Sequence, residues 1–313
     1  MVILPDYSLS NSIHHGWDNS LEPIIKISPG QVVEFEARDA SGGQLSATSV
    51  VKDLSLLDFE KINPVTGPVF VDGAEPGDAL KITILSFDTS GWGWTAIIPE
   101  FGILADQFKE PALHIWKYDT APGSTALFIP GGKVPIRPFP GTIGNAPAQK
   151  GVHSIVNPRN VGGNMDTRGL VEGTVLYLPV EVAGGLLSIG DAHAAQGDGE
   201  VCGTAIESPM NIAFKIEIEK KAKLKFPRFT TAGSVCHHID KKGYEVTTGI
   251  GPDLMQCAKD AVSQMVDMIS NKYGMSPEEA YMLCSVCADL RIPEIVDMPN
   301  WIVSFNFPIS VFD

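Results

Sequence analysis

The chain has 313 residues, 44% of them apolar and 19% charged, enough for one large or two ordinary domains around a sizeable core. Its formal charge of −14 argues against nucleic acid and anionic membrane surfaces as partners, because a phosphate-binding face needs clustered Lys and Arg. The first residues carry no basic region followed by an apolar stretch, and no apolar run approaches a membrane span, so a cytoplasmic protein is expected.

The first polar cluster is His14-His15-Gly16-Trp17-Asp18, where His14 and Asp18 share parity in an extended chain and His15 points with Trp17 to the other side. His14 is the better ligand candidate of the two. Alternating or β-branched runs then predict strands near Ile24–Ile27, Val32–Ala37, Ala79–Leu85, Thr174–Val180 and Asn211–Ile218. Pro-Gly pairs at 29–30 and 76–77 each launch one of these strands, a device common in sandwiches and barrels. The Pro/Gly turns of 63–74 read as architectural, and Gly91-Trp92-Gly93-Trp94 as an aromatic cover or a pocket wall. Pro138-Phe139-Pro140-Gly141-Thr142-Ile143-Gly144 is rigid turn chemistry able to bring backbone amides to a pocket mouth. In Gly162-Gly163-Asn164-Met165-Asp166-Thr167-Arg168, Asn164 and Asp166 can project together from a loop; an Asx-type turn is the competing reading.

The richest stretch is Ser188 to Glu207. Leu187, Ile189, Asp191 and His193 share one parity, so a regular strand places a carboxylate and an imidazole on the face that carries Leu and Ile. A buried Asp beside a buried His is costly unless something pairs with them, and a divalent cation is a suitable partner. A polar loop with a hydrogen-bonded Asp-His pair and no metal is the alternative. Gly197-Asp198-Gly199 predicts a turn and Glu200 to Glu207 a return strand; the two glutamates have opposite parity, so only a bulge or bend lets both face one site. Lys220 to Lys225 reads as a solvated strand end.

Beyond about Phe226 the periodicity becomes helical. Pro252-Asp253-Leu254 opens a helix that Gly274 closes, and Ser276-Pro277-Glu278-Glu279 starts a second one expected to run to about Leu290, with Pro293 as its stop. The five cysteines lack disulfide spacing and are expected to be reduced; Cys284 and Cys287 fall at core positions of the second helix. The expected fold is mainly β: a β-sandwich or barrel-like body over 1–226 that carries the site, and a smaller C-terminal α/β subdomain over 227–313 containing two helices.

Several motifs together resemble one family: His14-x-x-Trp17-Asp18-Asn19-Ser20-Leu21, Gly-Pro-Val-Phe-Val at 67–71, Phe139-x-Gly141-x-Ile143-Gly144 and Gly163-Asn164-Met165-Asp166. To these are added Gly190-Asp191-x-His193-x-x-Gln196-Gly197-Asp198-Gly199-Glu200 and Cys202-Gly203-x-Ala205-Ile206-Glu207. The chain resembles the acetamidase/formamidase family of metal-dependent amide hydrolases over nearly its full length, Pro252-Asp253-Leu254 and 287–292 included. The resemblance implies a homo-oligomer, at least a dimer, that hydrolyses short aliphatic amides such as acetamide and formamide to carboxylate and ammonia. Trp17-Asp18-Asn19-Ser20 is closer to the acetamidase branch; Glu22 stands where these motifs often continue with Pro, which leaves the acyl preference open.

An unactivated amide needs a strong nucleophile, a stabilised oxyanion and a proton for the departing amine. A zinc-type ion held by Asp191, His193 and Glu207 would lower the pKa of a bound water and polarise the carbonyl, with Ca²⁺ as the other ion the carboxylates suit. Glu200 is assigned as the base, although exchanging Glu200 and Glu207 fits nearly as well. Asp166 and His14 stand as second-tier ligands or orienting groups, and Asn164, Trp94 and Gly144 as substrate contacts. A pocket walled by Trp92, Trp94 or Phe139 would admit aromatic acetamides too. The competing readings are a thiol amidase using Cys202 and a β-sandwich binding module with a structural Ca²⁺. A serine amidase is not indicated, since no Gly-Gly pair is followed by Ser-Ser.

Overall fold

The computed structural model describes residues 4–128, 131–233 and 240–312. It is mainly β, with a C-terminal unit that carries both α-helices. The body is a sandwich of two sheets. One has six strands in the order Tyr7–Leu9, Val32–Ala37, Met210–Glu219, Ala79–Thr89, Val175–Pro179 and Arg228–Thr230. The other has nine and centres on Leu187–Ala195, which pairs with Phe139–Gly144, Val65–Val71 and Ile206–Glu207.

Alternation explains the first sheet. In Val32–Ala37 every second residue is buried, and Val33, Phe35 and Ala37 pair with Phe214, Ile212 and Met210 of the neighbouring strand. Phe35 and Phe214 pack edge to face, their centroids 5.8 Å apart. Val69, Val71, Phe139, Ile143, Leu187 and Ile189 of the second sheet complete this core, so the interior is built by inward-facing residues of both sheets.

The opposite side of the nine-stranded sheet packs against the C-terminal unit. There, Leu254–Tyr273 is capped by Asp253, whose carboxylate accepts from the Gln256 N–H, and closes at Gly274 with φ +68°. The second helix, Pro277–Cys287, starts in a full capping box between Ser276 and Glu279. It ends three residues before the expected Leu290. Asp289–Glu294 is instead an edge strand, and Pro293 sits inside it where the register slips, at a position that needs no ladder donor. The pull is tertiary: the Asp289 carboxylate is bound by Arg168 from the body.

The two parts share one core. Ile97, Trp116 and Val201 of the body pack in the same cluster as Met265, Tyr281 and Phe305, and the body sheet runs on to Thr230, past residue 226. Cys202, Cys257, Cys284 and Cys287 are buried free thiols, as expected for core positions, while Cys236 lies outside the described residues. Among the described residues, no helix is long and apolar enough to cross a membrane.

Candidate active site

Strand Leu187–Ala195 is buried over its whole length, so accessibility gives no alternation, but register does. Ile189 pairs with Ile143 and Gly190 with Thr142. Asp191 then adopts φ +46°, in the left-handed region, and Ala192 takes the next place in the Leu187/Ile189 core. The Asp191 carboxylate instead meets Asn63 Nδ2 at 3.0 Å and Thr142 Oγ1 at 3.5 Å, on the face opposite Ile143. The single face expected for Leu187, Ile189, Asp191 and His193 therefore ends at Gly190, because one left-handed residue turns the carboxylate out of the sandwich core.

The expected return strand is reduced to Ile206–Glu207, and 200–205 form a turn that Glu200 enters at φ +44°. That turn is buttressed by the second helix. Ser285 Oγ accepts from Cys202 N–H at 3.1 Å and donates to Thr204 O at 2.7 Å, and Tyr281 Oη donates to Val201 O. A turn in place of a strand removes the parity conflict, and Glu200 and Glu207 reach the same site.

At its centre, His193 Nε2 lies 3.2 Å from Asp191 Oδ1 and 3.2 Å from Glu207 Oε2. The other ring nitrogen, Nδ1, is 2.9 Å from Gln196 Oε1, and Gln196 Nε2 donates to Asp166 O at 2.8 Å. With its NH2 committed to a carbonyl, Gln196 presents an acceptor, so Nδ1 carries the hydrogen. The Nε2 lone pair of a neutral His193 then faces two carboxylates, and a proton or a cation must stand between them. Asp166 Oδ1 and Glu207 Oε2 are buried without a hydrogen-bond partner.

The titration behaviour follows. Burial alone would lower the His193 pKa, but Glu207 and Asp191 raise it well above the usual value. Burial raises Asp191 and the neighbouring His193 more than reverses this, holding it below the usual carboxylate range. Glu207 is pushed up to about 8 by burial and Asp191, with His193 opposing. Asp166 rises to about 7 through burial, opposed by His193 and reinforced by Asp191. Glu200 is raised well above the usual range by burial and by the adjacent Asp166 and Glu207. Donor atoms of Asp166, Asp191 and His193, and again of His193, Glu200 and Glu207, lie within 4.8 Å of one another, a donor set that fits a divalent ion.

These groups border a cavity of about 710 Å³ lined by Asp166, Asp191, Glu200 and Glu207 together with Asn63, Asn164 and Trp94. Three expected site residues do not line it: His193 lies behind Asp191 and Glu207, and His14 and Gly144 are engaged elsewhere. His14 bonds to Gly16 O (2.8 Å) and Ser188 Oγ (2.9 Å) on another strand pair, and Gly144 packs against Gly163 in a neighbouring ladder. Asn164 and Trp94 do line it, but their polar atoms are engaged within the protein: Asn164 Nδ2 with Asp166 Oδ2 (3.0 Å), Asn164 Oδ1 with Thr142 Oγ1 (2.6 Å), Trp94 Nε1 with Asp39 Oδ1 (3.0 Å). The Cys202 thiol is outside the lining, directed at Ala96 O and Thr204, and burial raises its pKa.

Sequence reasoning passed over Asn63, Asp39 and the roles of Gln196 and Gly141. Asn63 was hidden in a turn read as architectural, and nothing in the chain marks Asp39, which is buried 1% exposed beside Trp94. Gly141 and Gln196 stood in quoted motifs without an assigned role. A Cβ on Gly141 would come within 2.7 Å of His193 Cε1 and 2.6 Å of Asp191 O, so the bare backbone there is the seat of the imidazole.

A profile of the Acetamidase/Formamidase family matches residues 6–155 and 148–313, which is nearly all of the chain. The chain belongs to this acetamidase/formamidase family. A formamidase from Methylophilus methylotrophus is 26% identical, over 96% of this chain and 89% of that protein. Among solved structures, an acetamidase from Bacillus halodurans is 30% identical with a TM-score of 0.68, over 97% of this chain and 98% of that one. A γ-lactamase from Delftia acidovorans gives a TM-score of 0.89 at 24% identity, over 96% of this chain and 90% of that one, a likeness of fold. The family is one of amide-hydrolysing enzymes.

Proposed function

We propose that the protein hydrolyses carboxamides, formamide and acetamide being the simplest, to carboxylate and ammonia at the Asp191–His193–Glu207 cluster. The observation that carries this reading is the His193 Nε2 lone pair held by Gln196 against two carboxylates that line a cavity. Asp191, His193 and Glu207 would hold a divalent ion, with Asp166 and Glu200 in reach. A bound zinc-type ion supplies a water of lowered pKa and a Lewis acid at the amide carbonyl, and Ca²⁺ is the second candidate.

The chain's own groups do the rest. Gln196 fixes the imidazole by holding the Nδ1 hydrogen, and Asn63 holds the Asp191 carboxylate through Oδ2. Burial, Asp166 and Glu207 raise the Glu200 carboxyl in the ion-free site, and the charge of a bound cation would offset that and leave it ionised; its carboxylate then receives the proton from the water, and its acid gives it to the leaving nitrogen. Water adds its oxygen to the carbonyl carbon, the C–N bond breaks, and the nitrogen leaves as ammonia. We also read the enzyme as a homo-oligomer, at least a dimer, which sedimentation tests; a monomer at every concentration overturns that.

The test is ammonia release from formamide and acetamide, before and after chelation, with metal content measured on the same preparation. Activity lost on chelation and regained with Zn²⁺ supports the reading. Release that survives metal removal overturns the role given to the ion, and no release from any amide overturns the reaction.

A further inference from the structure

Resting on the amidase reading above, we infer that this site selects an amide with a bulky, apolar and uncharged acyl group, an arylacetamide in preference to acetamide. The cavity holds about 710 Å³. That lies in the range of roughly 300–1,000 Å³ that accommodates drug-sized ligands. Acetamide, comparable to two or three water molecules at about 30 Å³ each, leaves most of it to solvent.

What the remaining space meets is mostly apolar. Leu57, Phe59, Trp94, Ile98, Phe101 and Met165 form the walls. The carboxylates lie deep, beside the buried Trp94, and the exposed aromatics lie at the mouth together with Glu100. Asp191 and Glu207 are 2% exposed at the inner end, whereas Phe59 is 56% and Phe101 48% exposed at the outer one. A primary amide entering head first sets its nitrogen and carbonyl at the carboxylates and its acyl group along the hydrophobic wall, where displacing water from apolar surface favours binding. The wall is rigid. Asp39 fixes the Trp94 indole through Nε1, and Phe101 lies so close to Gly203 that a Cβ there would come within 2.4 Å of the ring.

Charge narrows the class. Among the lining residues there is no Lys, Arg or His, while Glu100, Asp166, Asp191, Glu200 and Glu207 are all present. An acyl group that carries its own carboxylate has no cation on the walls to pair with, and its desolvation in the cavity is uncompensated.

The experiment compares kcat/KM for acetamide, phenylacetamide and 4-carboxyphenylacetamide on the metal-replete enzyme. Phenylacetamide is expected to exceed acetamide by about tenfold or more, mainly through KM, and the carboxylated analogue to fall at least about tenfold below phenylacetamide. Phe59→Ala, at an exposed position where folding is tolerant, is expected to lower the phenylacetamide-to-acetamide ratio several-fold. Acetamide turned over as well as phenylacetamide, an equal rate for the carboxylated analogue, or a ratio unmoved by Phe59→Ala each overturns the inference and leaves the amidase standing. No turnover of any of the three overturns the amidase reading, and this inference with it.

Discussion

Arg168 grips Asp289 with both ends of its guanidinium, Nη1 to Oδ1 and Nη2 to Oδ2 at 2.7 Å each, while its Nε reaches Asp198 Oδ1 at 2.9 Å. One side chain thereby joins three segments: the loop that carries Asp166, the turn that leads into Glu200, and the start of the strand that follows the second helix. Asp289 is 2% exposed at its side chain, so its charge depends on this partner.

Arg168→Met is expected to cost about 2–4 kcal/mol, less than the full penalty for an orphaned buried charge because Arg291 also reaches Asp289 Oδ2 at 3.2 Å. Urea unfolding measures it. Arg168→Lys should recover only part, since an ammonium cannot reproduce the fork. A Lys variant as stable as the parent would remove the geometric argument.

Gln196 acts on the imidazole through Nδ1. Gln196→Ala should weaken divalent-ion affinity by roughly 10–100-fold, as loss of such outer partners does, with little change in the unfolding midpoint of the stripped protein. Competition with a zinc indicator gives the affinity. Unchanged affinity would mean that the tautomer is set elsewhere.

Gly141 has no room for a side chain. Gly141→Ala places a methyl against the His193 ring and against the Asp191 carbonyl oxygen, which is backbone and cannot swing away. We expect a fall in kcat/KM of about 100-fold or more, since displacement of such a group by an ångström carries that cost. Circular dichroism should remain close to that of the parent; a fully active variant would show that the imidazole can move without consequence.

The stripped protein should lose stability as pH rises. Glu207 titrates at about 8 and Asp166 at about 7 when folded, both above their unfolded values, so the folded state binds the extra protons between those limits. His193 is also raised, and its contribution is complete below its unfolded value and lost as pH climbs through the folded one. All three act in the same direction, so the Tm of chelated protein should fall from about pH 5 to about pH 8, and an added divalent ion should restore most of the loss at the upper end. A Tm that rises over this interval contradicts the charge arrangement.

Periodicity and punctuation were enough to place the long alternating strands of the body and the starts of both helices with their N-caps, because these depend on residues a few positions apart; Phe139–Gly144, read as a turn, is a buried strand whose place is set by its pairing with Leu187–Ala195. Ser276 and Glu279 bond to each other, and Asp253 to Gln256, whatever the rest of the chain does. The concentration of Asp191, His193, Glu200 and Glu207 was also legible, since all four come from 17 consecutive positions, 191 to 207. Their directions were not. Alternation holds only while φ stays extended, and the left-handed residues at 191 and 200 reverse it at the two points that matter.

Composition, pattern and motif thus determined the fold class, the family and the residues that carry the polar chemistry. Only the tertiary structure decided that Asp191 leaves the core, that Glu200 stands on a turn braced by Tyr281 and Ser285, and that His14 bonds elsewhere. It also decided that Asn63, Asp39 and Gly141 belong with His193, and that the cavity walls are mostly apolar. The reason is distance along the chain: Asn63 and Asp191 are 128 positions apart, and which side chains meet at that separation depends on sheet register and on single backbone angles, neither of which leaves a mark in local sequence.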